Sequence, residues 1–119
     1  MEPCLHDGVY VFASLPPGTP LPDVEPLATF REPEGLSLVL RQEDAAAAGC
    51  EVMFRAAWIS LTVCSALEAV GLTAAMAVAL TERNISCNVV AGAYHDHLFV
   101  PLERAQDAMD ALWTLQREA

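Results

Sequence analysis

Three histidines, four cysteines and a carboxylate carry most of the reactive chemistry in this chain. His95 and His97 flank Asp96 inside CNVVAGAYHDHLFVP (87–101), between two apolar runs. Two imidazoles two residues apart lean to one side of a strand, so the pair is compatible with zinc or a softer ion, with His6 as a third imidazole. No cysteine or carboxylate is placed by spacing to complete such a shell, so the expectation is no metal and no cofactor. Cys64 precedes a helix start, where the positive end of the dipole lowers a thiol pKa, and pairing with His95 or His97 would give a nucleophile and base. The chain has no nucleophile elbow and no phosphate loop, so it reads as no enzyme, with a Cys64-dependent one as a minor alternative. The bland reading of His-Asp-His is a polar hairpin end whose histidines rim a shared surface.

Bulk properties narrow the classes. With 119 residues and 54% apolar content, the chain suits one compact domain, or two very small ones sharing a core, without staples. The net charge of −10 opposes phosphate backbones and anionic bilayers, so neither a nucleic acid nor a membrane is expected as partner. Residues 56–80 are long and apolar, but Glu68 at mid-span would cost about 3 kcal/mol in a bilayer. The cysteines, Cys4, Cys50, Cys64 and Cys87, form no CxxC pair. They read as reduced thiols of a cytoplasmic protein, and MEPCLHDG carries no signal-peptide pattern.

The elements that must position these residues follow from periodicity. Seven of the eight prolines lie in the first 33 residues, and 16–26 reads as an ordered loop. Strands are expected at 9–15, 27–31 and 36–41, the last with Leu36, Leu38 and Leu40 on one face, and a short helix at 42–49 stopped by Gly49. AWISLTV (57–63) alternates as a strand. SALE (65–68) then matches a capping box that starts a helix running to about Arg83, where Asn84 tolerates the left-handed turn. Strands at 85–91 and 97–101 and a helix at 102–117 complete the chain. Leu102, Ala105, Ala108, Met109, Leu112 and Leu115 form the stripe of that helix.

The second half thus reads strand, helix, strand, strand, helix, one strand short of a ferredoxin-like unit. A strand borrowed from the first half, most economically 9–15, would complete it. The fold class is therefore α+β, with interleaved halves, antiparallel strands and helices on one face. Strand parity puts Val11, Leu38, Ile59, Leu61, Val89, Leu98 and Val100 towards the helices. Tyr10, Phe12, Trp58, Ser60, Asn88, Val90, His97 and Phe99 fall on the other face. Pairing Val89 with Leu98 sets Asn88 against Phe99 and Val90 against His97.

The stretch VCSALEAVGLTAAMAVALTERNISCNVVAGAYHDHLFVP (63–101) resembles the ACT domain, and more narrowly short bacterial ACT-like proteins with a CNVVAGYYHDHLFVP-type motif. The resemblance is densest from Trp58 to Pro101. It implies βαββαβ units set side by side: an incomplete N-terminal half at 1–54, and a domain at 55–119 completed by an N-terminal strand. It also implies a regulatory or sensor module, commonly a homodimer, that binds a small molecule such as an amino acid. Such a ligand would touch Cys64, Ser65, Ala66, Leu67, Gly71 and Leu72 at the first loop and helix, and Asn88, Val90, His95 and His97 on the following hairpin. Where this chain has Cys64-Ser65-Ala66 the narrow group has His-Ser-Ser, and it has an aromatic where this chain has Ala93. If the missing His and Ser hold a ligand, binding is altered or lost here. The alternative from another class is an oligomerisation module without a ligand.

Overall fold

In the computed structural model, which describes residues 2–21, 23–62 and 71–118, the alternating runs become strands and the 3.6-periodic runs become helices. The order is β1 (Pro3–Leu5), β2 (Tyr10–Leu15), β3 (Ala28–Glu32), β4 (Gly35–Arg41), α1 (Gln42–Ala48), β5 (Glu51–Leu61), α2 (Gly71–Thr81), β6 (Asn88–Ala91), β7 (Asp96–Pro101) and α3 (Ala105–Glu118). A single 3₁₀ turn, Leu102–Arg104, leads into α3. The fold is α+β, and the pairings β1–β5, β2–β4, β2–β5, β3–β4 and β6–β7 are antiparallel. The chain forms two units, Gly8–Ala56 and Met1–Asp7 with Ala57–Ala119. None of the described helices is long and apolar enough to cross a membrane.

In the unit Gly8–Ala56 the strands lie in the order β3-β4-β2-β5. Val11, Ala13, Leu15, Leu38 and Leu40 meet Ala45 of α1 in one core. That is the parity read from the sequence, and α1 ends with Gly49 in the left-handed conformation. Tyr10 and Val39 fall on the opposite face and are nevertheless buried. Tyr10 stands between Arg41 of β4 and Ala56 of β5, and the Arg41 guanidinium lies 5.4 Å from its ring centre. A central strand has side chains on both flanks, so its outer face is not automatically open.

In the unit Met1–Asp7 with Ala57–Ala119, β7 lies between β5 and β6, and β1 pairs with β5. The core joins Ile59, Leu61, Leu98 and Val100 from the sheet to Met76 and Leu80 of α2 and Ala108, Ala111 and Leu112 of α3. The rest of the stripe, Leu102, Ala105, Met109 and Leu115, packs against it, so α3 buries the face its periodicity indicated.

The completing strand differs from the expectation. It is Pro3–Leu5, with Pro3 opposite Leu61 and Leu5 opposite Ile59. Residues 10–15 pair instead with β4 and with residues 51–56 of β5. Three residues starting with proline give no alternation to read, and proline is tolerated at the first position of a strand. The expected strand at 85–91 also starts late, at Asn88. Asn84 adopts φ +58°, and the N–H of Ile85 returns to the Leu80 carbonyl at 3.0 Å, closing α2. The residue that stops the helix thereby delays the strand. Asn84→Ala is expected to lower unfolding free energy by about 1–2 kcal/mol, the penalty of a Cβ in that conformation, while Asn84→Gly should lose little. Urea titrations of the two variants read the difference.

Candidate functional site

The β6–β7 hairpin has the register expected of it: Asn88 faces Phe99, Val89 faces Leu98, Val90 faces His97 and Ala91 faces Asp96. Its turn is closed by the Gly92 N–H donating to the His95 carbonyl at 2.9 Å. Leu98 and Val100 go to the core, so His97 goes to the outer face. β5 lies beside β7, and Trp58 meets His97 there, its indole Nε1–H donating to Nδ1 at 3.1 Å.

The remaining histidines join the same group. His6 follows β1 and is brought in by the pairing of that strand with β5. Its ring stacks on Trp58 with centroids 3.5 Å apart and planes 10° apart. Its backbone N–H donates to the Trp58 carbonyl at 2.9 Å, and its Nε2 lies 2.6 Å from the Ser60 hydroxyl. His95 sits edge-on to His97 at 6.3 Å and bonds the Leu61 carbonyl through Nδ1 at 3.2 Å. His6 and His97 therefore meet on Trp58, and His95 joins the group through His97.

These bonds fix where the protons are. An indole N–H only donates and a carbonyl only accepts. His97 in this bond is thus neutral with its proton on Nε2, and His95 carries a proton on Nδ1. Burial, followed by repulsion from His95, holds His97 below the usual histidine pKa of 6.5 against the pull of Asp96. Burial and repulsion from His97 do the same to His6 against Asp7. A metal at Nε2 of His97 would need that proton removed or the Trp58 bond broken, so the arrangement favours hydrogen bonding over coordination. Among the described residues no group of three or more His, Cys, Asp or Glu is arranged to hold a metal.

The other sequence candidates divide. Val90 is exposed and shares the outer face with His97. Asn88 is on the same face but opens β6 and is exposed, so water solvates an amide that looked mid-strand in the sequence. Phe99, which parity puts on the outer face, is 2% exposed. Asp96, which looked like a turn residue, is 3% exposed. Gly71 is the first residue of α2, and a side chain there would meet no described atom within 4 Å. Cys64, Ser65, Ala66, Leu67, the capping box and the side chain of Leu72 lie outside the described residues. Cys87 is half-buried against the core, and burial pushes its thiol up to about 11, which leaves it unreactive at neutral pH. Two open grooves, of about 440 and 480 Å³, lie elsewhere, one beside Pro16, Thr19 and Arg31 and the other beside Asn84, Ser86 and Arg104.

The order of strands and helices around this hairpin is that of a known family. Family models described as ACT domain match residues 1–57 and residues 54–113. The chain belongs to the ACT domain family. A Vibrio cholerae protein of unknown function, described as a possible transport protein, is 52% identical. The match covers 96% of this chain and 88% of that one, with a TM-score of 0.83. An Agrobacterium tumefaciens protein has a TM-score of 0.79 at 19% identity, over 96% of this chain and 87% of its own. The regulatory subunit of aspartate kinase from Thermus flavus has a TM-score of 0.67 at 11% identity, over 97% of each chain. At those identities the last two show the shared ACT fold alone. No curated protein matches the chain.

Proposed function

We propose that this ACT protein is a non-catalytic regulatory or sensor module of the cytoplasm that binds a small molecule of the amino-acid class as a homodimer. The observation that supports it is the pair of ACT-type segments filling the chain, because ACT domains are regulatory and often bind amino acids. In this reading residues 1–54 are an incomplete ACT-like half, and residues 55–119 carry the ligand-facing elements. Cys64, Ser65, Ala66, Leu67, Gly71 and Leu72 would approach the ligand from the first loop and helix. Asn88, Val90, His95 and His97 would approach it from the hairpin. Neutral His97 offers an Nε2–H donor to a polar ligand, and His95 stands beside it with its Nδ1–H held by the Leu61 carbonyl. The half-buried, high-pKa Cys87 supplies no nucleophile to a catalytic alternative.

Thermal melts against the twenty amino acids test the reading. A ligand at 100 times its Kd should add about 2.7 kcal/mol, roughly 10 °C for a chain of this size. His97→Asn and Asn88→Ala should each shrink that shift. No shift with any amino acid at millimolar concentration would leave an oligomerisation module as the better reading, and light scattering would then report the dimer without a ligand.

A further inference from the structure

The bond between Trp58 and His97 exists only while His97 is neutral. The Nδ1 lone pair is the acceptor, and a proton there would set two N–H groups against each other across 3.1 Å. His6 is tied to the same tryptophan by its stacked ring and backbone N–H, and to Ser60 by Nε2. We propose that Trp58, His97, His95 and His6 form a proton-operated latch on the outer sheet face: proton uptake from solvent at Nδ1 of His97 releases the Trp58 indole, and with it the His6 stack that fastens the end of β1 to β5.

The surrounding charges set the range in which the latch works. From β7 and the turn before it, His97 faces Asp96 and His95. From the segment after β1 it faces His6, with Asp7 next to it. β5 presents the uncharged Trp58 and Ser60, and β6 the uncharged Val90. Asp96 draws a proton towards His97, while burial and the neighbouring imidazoles resist it more strongly. His97 in the folded protein therefore titrates below the 6.5 of an unfolded histidine. The unfolded chain takes up protons first, so the latch contributes its full stability above pH 6.5. That contribution falls as pH drops from 6.5 through the folded value. The latch is closed above pH 6.5 and opens as pH falls through the lower folded value of His97. An imidazolium on His97 raises the cost of a second one on His6, which favours one proton over two. The latch is independent of the ligand-binding reading.

The chain has two tryptophans, so Trp113→Phe leaves Trp58 as the only indole. In that background the Trp58 Nε1–H resonance and fluorescence are followed from pH 8 to pH 5. One transition is expected, with its midpoint below 6.5 and with faster solvent exchange of the indole proton on its acid side. His97→Asn places an amide oxygen near the position of Nδ1, accepts the same bond and does not titrate, so it should reduce the transition at least five-fold. A flat Trp58 signal, or a transition of unchanged size in His97→Asn, overturns the latch. If His97→Asn does not fold, ¹⁵N-histidine shifts in the Trp113→Phe protein decide alone. Protonation of His97 Nδ1 at the same midpoint as the indole shift supports the latch, and separate midpoints overturn it.

Discussion

Leu98→Ala is expected to lower the unfolding free energy by about 3 kcal/mol, within the range of roughly 2–5 kcal/mol seen for buried leucines. Leu98 is fully buried opposite Val89, in the core that β5, α2 and α3 build together. Truncation removes its transfer free energy and leaves a cavity between elements that collapse only partly onto it. The loss is a large share of the ~5–15 kcal/mol that holds a domain together, and should drop the melting temperature by about 10 °C. The informative control is on the opposite face of the same hairpin. Val90 is 41% exposed, so Val90→Ala should cost less than about 1 kcal/mol. Phe99 cannot serve as that control, because its ring is buried despite its outer-face parity. Chemical denaturation of the two variants measures the asymmetry, and equal losses would mean that the hairpin does not present one face to the helices.

Strand alternation made that asymmetry legible in advance. Asn88 before Val89 and His97 before Leu98 mark the outer face, so pairing Val89 with Leu98 sends both to the helices, and that register is the one formed. The stripe of α3 was equally plain, since six apolar residues at helical spacing leave no other face to bury. Elements whose residues lack periodicity were hidden. Pro3–Leu5 is too short to alternate, and the start of β5, with Glu51, Val52, Met53 and Arg55, mixes exposed residues of every kind. The candidate site follows the same division. Parity placed Trp58 and His97 on one face, but their hydrogen bond depends on β5 lying beside β7, which no local pattern encodes. His6 was visible as a third imidazole, yet only the pairing of β1 with β5 carries it onto Trp58. Burial on the outer face was also beyond the sequence, because alternation sorts residues by face and does not say which face is covered, as at Phe99 and Tyr10.

The second large effect concerns Gly35, at the start of β4. Only Pro33 and Glu34 separate β3 from β4, since Glu32 already pairs with Gly35. The tight reversal holds Gly35 at φ +152°, a region that L side chains rarely enter. A Cβ there would also meet the carbonyl oxygen of Leu15, the last residue of β2. That oxygen belongs to the backbone, and Leu15 is fixed opposite Leu36 in the β2–β4 ladder, so it cannot turn aside as a side-chain tip could. Two penalties therefore add: about 1–3 kcal/mol for the strained dihedral and about 1–3 kcal/mol for overpacking. Gly35→Ala is expected to lose roughly 2–6 kcal/mol, the sum of the two. Gly18 separates the two contributions, because it has φ +78° and a methyl group added there would meet no described atom within 4 Å. Gly18→Ala should thus show the dihedral cost alone, about 1–2 kcal/mol. If urea titrations give Gly35→Ala no larger a loss than Gly18→Ala, the β2–β4 ladder yields at its end, and the close approach of Gly35 to Leu15 is not what fixes the turn.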